Sequence, residues 1–358
     1  MLPRARKGRG ATLNPEGRFE RHAREPFDDG WGGLDALAEE PGPATEVFLD
    51  HARTIIARND SPDIPFDRSI NPYRGCEHGC VYCYARPSHG HLGLSSGLDF
   101  ETKIFVKHEA AALLRQELAR PGYVCRPISL GANTDPYQPL ERRLLVTRGV
   151  LEVLAETRHP VGIVTKSALV TRDLDLLRRM ARDRLVRVYV SVTTLDPRIA
   201  RTLEPRASAP HRRLETVRAL AGAGVTIGVM VAPVIPALTD HELEVILEAA
   251  AAAGASSAGY VLVRLPHEVK ELFRAWLEAH FPARAAHVLS LVRQCRDGRL
   301  NDPGFGSRMR GEGVFAELVA QRFRKACARL GFDRRQLPQR TDLFRPPRDD
   351  GQLGLFGG

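Results

Sequence analysis

Short β-branched runs alternate with amphipathic helical stretches from about residue 46 onward. The runs fall at 69–75, 126–132, 161–166, 186–194, 225–234 and 257–265, and their Val and Ile content predicts strands. Apolar residues recur with a helical period over about 107–119, 141–158, 171–183, 208–223, 239–253 and 267–281. Thr239, with Glu242 three residues on, predicts a capping box at the start of the fifth helix. Six strand–helix units in succession imply a parallel sheet with right-handed crossovers. Six is short of the eight that close a full barrel. The expected fold is therefore α/β, an open partial (β/α)6 barrel over residues 46–282, with a doubly wound sheet as the alternative.

Outside that region the pattern changes. Residues 1–45 are polar, rich in Arg, Gly and Pro, and aperiodic, which predicts a basic extended arm. Two more amphipathic helices are expected over 283–332 as a C-terminal extension, ending in GVFAELVAQRFRKACARLGF. From 333 to 358 the chain returns to Arg, Pro, Asp and Gly and reads as a flexible tail. There is no internal repeat beyond the βα alternation.

Composition narrows the setting. No window of about 18 apolar residues occurs, and the basic N-terminus lacks the apolar stretch of a secretory signal. A cytoplasmic protein with no membrane association is expected. Six cysteines in 358 residues are too few for a disulfide scaffold, so their clustering points to a metal. A net charge of +9 favours a polyanionic partner such as nucleic acid, although an arginine-rich composition alone produces the same balance.

The cluster lies in INPYRGCEHGCVYCYARPSHG, residues 70–90, where Cys76, Cys80 and Cys83 form a C-x3-C-x2-C frame. A structural zinc needs four closed ligands. The nearby fourth candidates are His78, His89 and His91, and no second C-x2-C follows. An iron–sulfur cube used for electron transfer also takes four thiolates. Three thiolates on a cube leave one iron open, which is a place for reaction. Barrel chemistry sits at the C-terminal strand ends, which selects Asn133, Thr134, Asp135, Thr165, Lys166 and Ser191. A lysine closing an apolar strand is costly unless its charge is paired or solvated.

This frame, with an aromatic before its last cysteine and placed after a first strand, resembles the radical S-adenosylmethionine (SAM) superfamily over about residues 69–266. The resemblance implies that Cys76, Cys80 and Cys83 hold three irons of a 4Fe-4S cluster while SAM chelates the fourth. It implies further that an electron, from a donor of flavodoxin or ferredoxin type, splits SAM into methionine and a 5′-deoxyadenosyl radical that abstracts hydrogen from substrate. Within the superfamily, Cys80, Tyr82, Cys83 and Tyr84 match the Cys-x-Tyr-Cys-Tyr of the spore photoproduct lyase group of DNA-repair enzymes. Carried over residue by residue, Tyr82 lies beside the adenine, Thr134, Lys166 and Ser191 contact SAM, and Tyr84 relays hydrogen.

One position departs from that group. Its lyases return hydrogen from a cysteine two residues before the hydroxyl matching Thr134, and Ala132 stands there in this chain. Cys125 begins the same strand, roughly 20 Å away at about 3.3 Å per residue, and Cys295 and Cys327 read as core residues. The substrate is therefore unassigned. Nucleic acid, in DNA lesion repair or modification, is the first expectation. Radical modification of a protein or small molecule is the alternative, and a zinc-bound nucleic-acid module is the non-enzymatic one.

The tail contributes QLGLF, in which Gln352, Leu353, Leu355 and Phe356 resemble the peptide by which bacterial repair enzymes dock on the sliding clamp. Two basic segments, RARKGRG near the N-terminus and GSRMRGEG at 306–313, are further candidates for phosphate contact.

Overall fold

Val161–Thr165 and Val186–Ser191 alternate fully and partly buried positions, as strands covered on both faces do. They pair in parallel, with Val161 opposite Val186 and Thr165 opposite Val190. A computed structural model describes residues 6–19, 44–334 and 336–347. Ten strands occur among them: β1 (Glu46–Leu49), β2 (Ile56–Arg58), β3 (Arg68–Ile70), β4 (Tyr73–Arg74), β5 (Lys103–Val106), β6 (Ile128–Leu130), β7 (Val161–Thr165), β8 (Val186–Ser191), β9 (Thr226–Val234) and β10 (Ser257–Leu262).

The main sheet runs β2-β3-β6-β7-β8-β9-β10, parallel from β3 to β10, with β2 antiparallel at one edge. The six parallel strands lie in space in chain order, with no reversal. A doubly wound sheet needs a reversal, so the fold is the open partial barrel. β3 and β10 do not pair. Ile70, Leu130, Ile163, Val188 and Val229 form the inner core, each contributing about 1.5–3 kcal/mol by burial.

The expected first strand is divided, because Pro72 cannot donate to a ladder. β3 stays in the main sheet, and β4 joins β5 and β1 in a small second sheet of order β1-β5-β4 beside the cysteine loop. Expected helices are found at Ala110–Leu118, Val146–Glu156, Leu174–Arg182, Pro210–Gly222, Leu243–Ala252 and Val269–His280. The helix expected from 171 begins instead as a 3-10 turn at Ala168–Asp173. The capping box is not made. Thr239 Oγ1 accepts from the Ile235 N–H at 3.0 Å, and Glu242 turns away to accept from Thr194 and from the Leu195 N–H. Tertiary partners outcompete the local motif there.

Pro282–Gln294 and Gly313–Leu330 follow the barrel. Between them, the Met309 carbonyl accepts from the Leu262 N–H at 2.9 Å on the β10 edge. Asp63, from the β2–β3 connection, accepts from the Gly306 N–H at 2.7 Å and pairs with Arg308. Loop contacts thus span the gap between the two sheet edges.

Both ends bind back onto the body where they are described. Residues 9–12, within the segment expected as an arm, are buried. Residues 336–347 cross the N-terminal ends of the strands: Gln339 Nε2 donates to the carbonyls of Val161 and Leu185, and Gln336 Nε2 to that of Ser256. Phe344 packs on Tyr123 and His159. This strap covers the face opposite the catalytic strand ends, where flexibility was expected from 333 on. The clamp-like peptide at 352–356 lies outside the described residues. Among those described, no helix is long and apolar enough to cross a membrane.

Candidate active site

The cysteine loop leaves β4 and is held from behind by one arginine. Arg86 is fully buried and uses its whole donor fork. Its Nε donates to the Cys80 carbonyl at 2.8 Å, one terminal nitrogen to those of Ser96 and Gly97, and the other to Gly79 at 3.0 Å and to Glu101 at 2.5 Å. Glu101 is equally buried and also accepts from the backbone N–H groups of Gly10, at 3.1 Å, and Ala11, at 2.8 Å. A Cβ on Gly10 would stand 1.8 Å from the Gly79 carbonyl oxygen, so only glycine lets the N-terminal segment lie this close. Residues 9–12 therefore form a wedge behind the loop that carries the three thiols.

Those thiols face a cavity of about 240 Å3 at the C-terminal ends of the strands. Cys76, Cys80, Cys83, Tyr82 and Tyr84 form one wall, with Asp135, Lys166, Ser191, Met230 and Arg264 among the residues opposite. The structure thus brings seven of the eight expected site residues together. Thr134 is the exception. Asn133 and Asp135 line the cavity while Thr134 between them points away, its hydroxyl donating to the Tyr73 carbonyl at 2.8 Å.

Around the cavity, charge is arranged in two buried groups. Asp135 accepts from Thr165 Oγ1 and the Lys166 N–H, both at 2.7 Å, and pairs with His78 at 3.3 Å. Burial pushes its carboxyl up, but His78 and these donors outweigh it and hold the group at about 2. The second group joins Glu204 to Arg213 at 2.5 Å, with Tyr82 and Thr193 donating to the same carboxylate. Arg213 also donates to the Ser191 carbonyl at 3.1 Å, tying the end of β8 to this pair. Sequence reading missed Glu204 and Arg213, which lie outside any motif. Lys166 makes no ion pair within the described chain. Burial lowers its basicity, yet Cys80 and Glu204 more than offset this and keep it cationic. Its Nζ lies over the Tyr82 ring, 5.8 Å from the centroid.

Tyr84 occupies the rim. Its hydroxyl donates to the Ala132 carbonyl, and Arg264 stacks over its ring at 5.4 Å. Cys125 precedes β6, far from the cavity, while Cys295 and Cys327 are buried in the core as expected.

The donor set suits a cluster better than a single ion. Zinc requires its ligands within about 2.3 Å of one centre. Among the described residues no three His, Cys, Asp or Glu side chains converge in that way. The three thiols instead stand around a volume. Burial pushes the Cys80 thiol up to about 12 and raises that of Cys76 well above the ordinary thiol value. Thiols so placed bind through their deprotonated form when a strongly cationic metal centre replaces the proton.

Comparison with known proteins gives concordant results. Residues 70–250 match the radical SAM superfamily. Uncharacterized proteins of Mycobacterium tuberculosis and Mycobacterium bovis are 37% identical over 286 residues, 79% of this chain and 81% of theirs. Another, from Methanocaldococcus jannaschii, is 26% identical over 48% of this chain and 62% of its own. Among solved structures, spore photoproduct lyase complexed with a dinucleoside spore photoproduct superposes with a TM-score of 0.57 at 19% identity, covering 79% of this chain and 78% of that one. That likeness is one of fold.

Proposed function

The chain belongs to the radical SAM superfamily, and on that premise we propose that it is a radical enzyme acting on nucleic acid, in lesion repair or modification. The observation that carries the reading is the convergence of Cys76, Cys80 and Cys83 with Tyr82, Lys166 and Ser191 on one cavity at the catalytic ends of the strands. The three thiols would hold a 4Fe-4S cluster. Lys166, cationic and without an ion pair among the described residues, would receive the SAM carboxylate, with Ser191 and Tyr82 beside it. Cluster and SAM together supply one-electron cleavage of the sulfonium and removal of a hydrogen atom from substrate, the electron coming from a flavodoxin- or ferredoxin-type donor.

The protein's own share is placement and shielding. Arg86 and Glu101 fix the thiol loop, Arg213 and Glu204 fix Tyr82 and the end of β8, and the apolar side chains of Met230, Val261 and Leu262 limit water in the cavity. Tyr84, with its hydroxyl on the backbone of residue 132, is the hydrogen-relay candidate. No thiol beyond the cluster cysteines lines the cavity, so hydrogen return through a further cysteine has no candidate among the described residues. The net charge of +9 and the fold shared with a lyase that holds a dinucleoside lesion support the nucleic-acid substrate.

Anaerobic reconstitution tests the reading. About four irons per chain, and reductive release of methionine and 5′-deoxyadenosine that DNA or RNA stimulates and Cys80→Ala abolishes, are expected. Cleavage unchanged in that variant, or a colourless protein holding one zinc, refutes it.

A further inference from the structure

Beside the catalytic cavity lies a second one of about 490 Å3, lined by Arg264, His267, Lys270, Arg299 and Arg308 with Leu300 and Asn301. Arg264 belongs to both cavities. The cations outnumber their partners. Arg308 is held by Asp63 and Ser61, whereas Arg264, Lys270 and Arg299 make no ion pair among the described residues. Asp302 accepts from Ser307 and the Gly304 N–H and lies close enough to Arg299 to feel its charge, without a salt bridge to it among the described residues. Arg264 is partly buried with its Nε unpartnered, and its other contacts are the Met309 sulfur at 3.2 Å and the Tyr84 ring. Thioether sulfur is a weak acceptor, so this guanidinium retains donors for an anion.

We propose that this pocket binds a phosphate of the substrate, with Arg264, Lys270 and Arg299 as its ligands, so that the attached nucleoside enters the catalytic cavity past Tyr84. Arginine forks match phosphate oxygens in pairs, and lysine adds a point charge. On the far side of Arg264 the cavity wall is apolar, with Met230, Pro233, Val261 and Leu262 suited to the face of a base. A cation-lined chamber leading into an apolar one fits a nucleotide unit better than an isolated carboxylate. The proposal deepens the nucleic-acid reading and rests on it for the identity of the ligand's source.

The test uses reconstituted full-length protein, a fluorescent single-stranded oligonucleotide and, separately, inorganic pyrophosphate by calorimetry. In Lys270→Ala/Arg299→Ala, the slope of log affinity against log salt is expected to fall by about 1.4, at about 0.7 per lost contact on a single strand. Arg178→Ala/Arg182→Ala, exposed positions on the Leu174–Arg182 helix, removes the same charge and is expected to keep the wild-type slope. Equal slopes in all three proteins, or equal losses in both variants, overturn the site while leaving nucleic-acid binding intact. Pyrophosphate bound by wild type and lost in the first variant, with no oligonucleotide bound, upholds the site and overturns the nucleic-acid reading. Neither probe bound overturns both.

Discussion

Arg86 and Glu101 meet at 2.5 Å behind the cysteine loop, with neither side chain reaching solvent. Removing one partner of such a pair leaves a buried charge uncompensated, at a cost of about 3–5 kcal/mol. Glu101→Gln also weakens the hold on Gly10 and Ala11. Its melting temperature is expected to drop, and its iron content after reconstitution to fall well below wild type. Wild-type iron in a folded Glu101→Gln protein would show that the wedge does not position the loop.

Lys166 and Thr134 provide a contrast. Lys166→Met is expected to weaken SAM binding more than tenfold, since a charge-assisted contact contributes about 1.5–3 kcal/mol. Thr134→Val loses only its bond to the Tyr73 carbonyl, about 1 kcal/mol of stability, and is expected to bind SAM normally. Equilibrium binding to the reconstituted variants separates the two, and equal losses would contradict the placement of Thr134 outside the cavity.

Acid is expected to loosen the strap. His159 is buried between Tyr123 and Phe344, its ring nitrogens engaged by the Tyr123 hydroxyl and the Pro160 carbonyl. Burial, with nearby Arg68, pushes its pKa down to about 4. Between about pH 6.5 and 4 the unfolded chain therefore binds the extra proton, and stability falls as pH falls. The expected loss across that window is roughly 3 kcal/mol, measured by urea unfolding at a series of pH values. A His159→Gln protein should lose this slope; an unchanged slope would assign it elsewhere.

The tail peptide offers a partner test independent of the radical chemistry. A purified bacterial sliding clamp is expected to retain the full chain and to release Leu355→Ala/Phe356→Ala. Equal retention would remove the clamp as a partner.

The strands were legible because β7 to β9 are β-branched runs bounded by turn residues, a local and periodic signal. The cysteine frame was legible because its ligands lie within eight residues of one another. Glu204 and Arg213 were not, since their partners Tyr82 and Ser191 come from distant elements and nothing in TLEPRA marks a buried carboxylate. Gly10 is similar: its need for glycine arises from Gly79, which only tertiary packing brings near. At Thr239 the local signal was present and lost to contacts from the loops that follow β8 and β9.

Asp63 reaches across the gap between the sheet edges to Arg308 and the Gly306 N–H. A barrel sealed by strand pairing has a fixed girth, because widening it breaks backbone ladders. Here the circumference is completed by side chains and loop amides, whose exchange with water is far less costly. Aperture is thus decoupled from the integrity of the sheet. Parting that latch would open the side of the barrel without breaking a strand pair, and would leave Arg308 without its carboxylate partner.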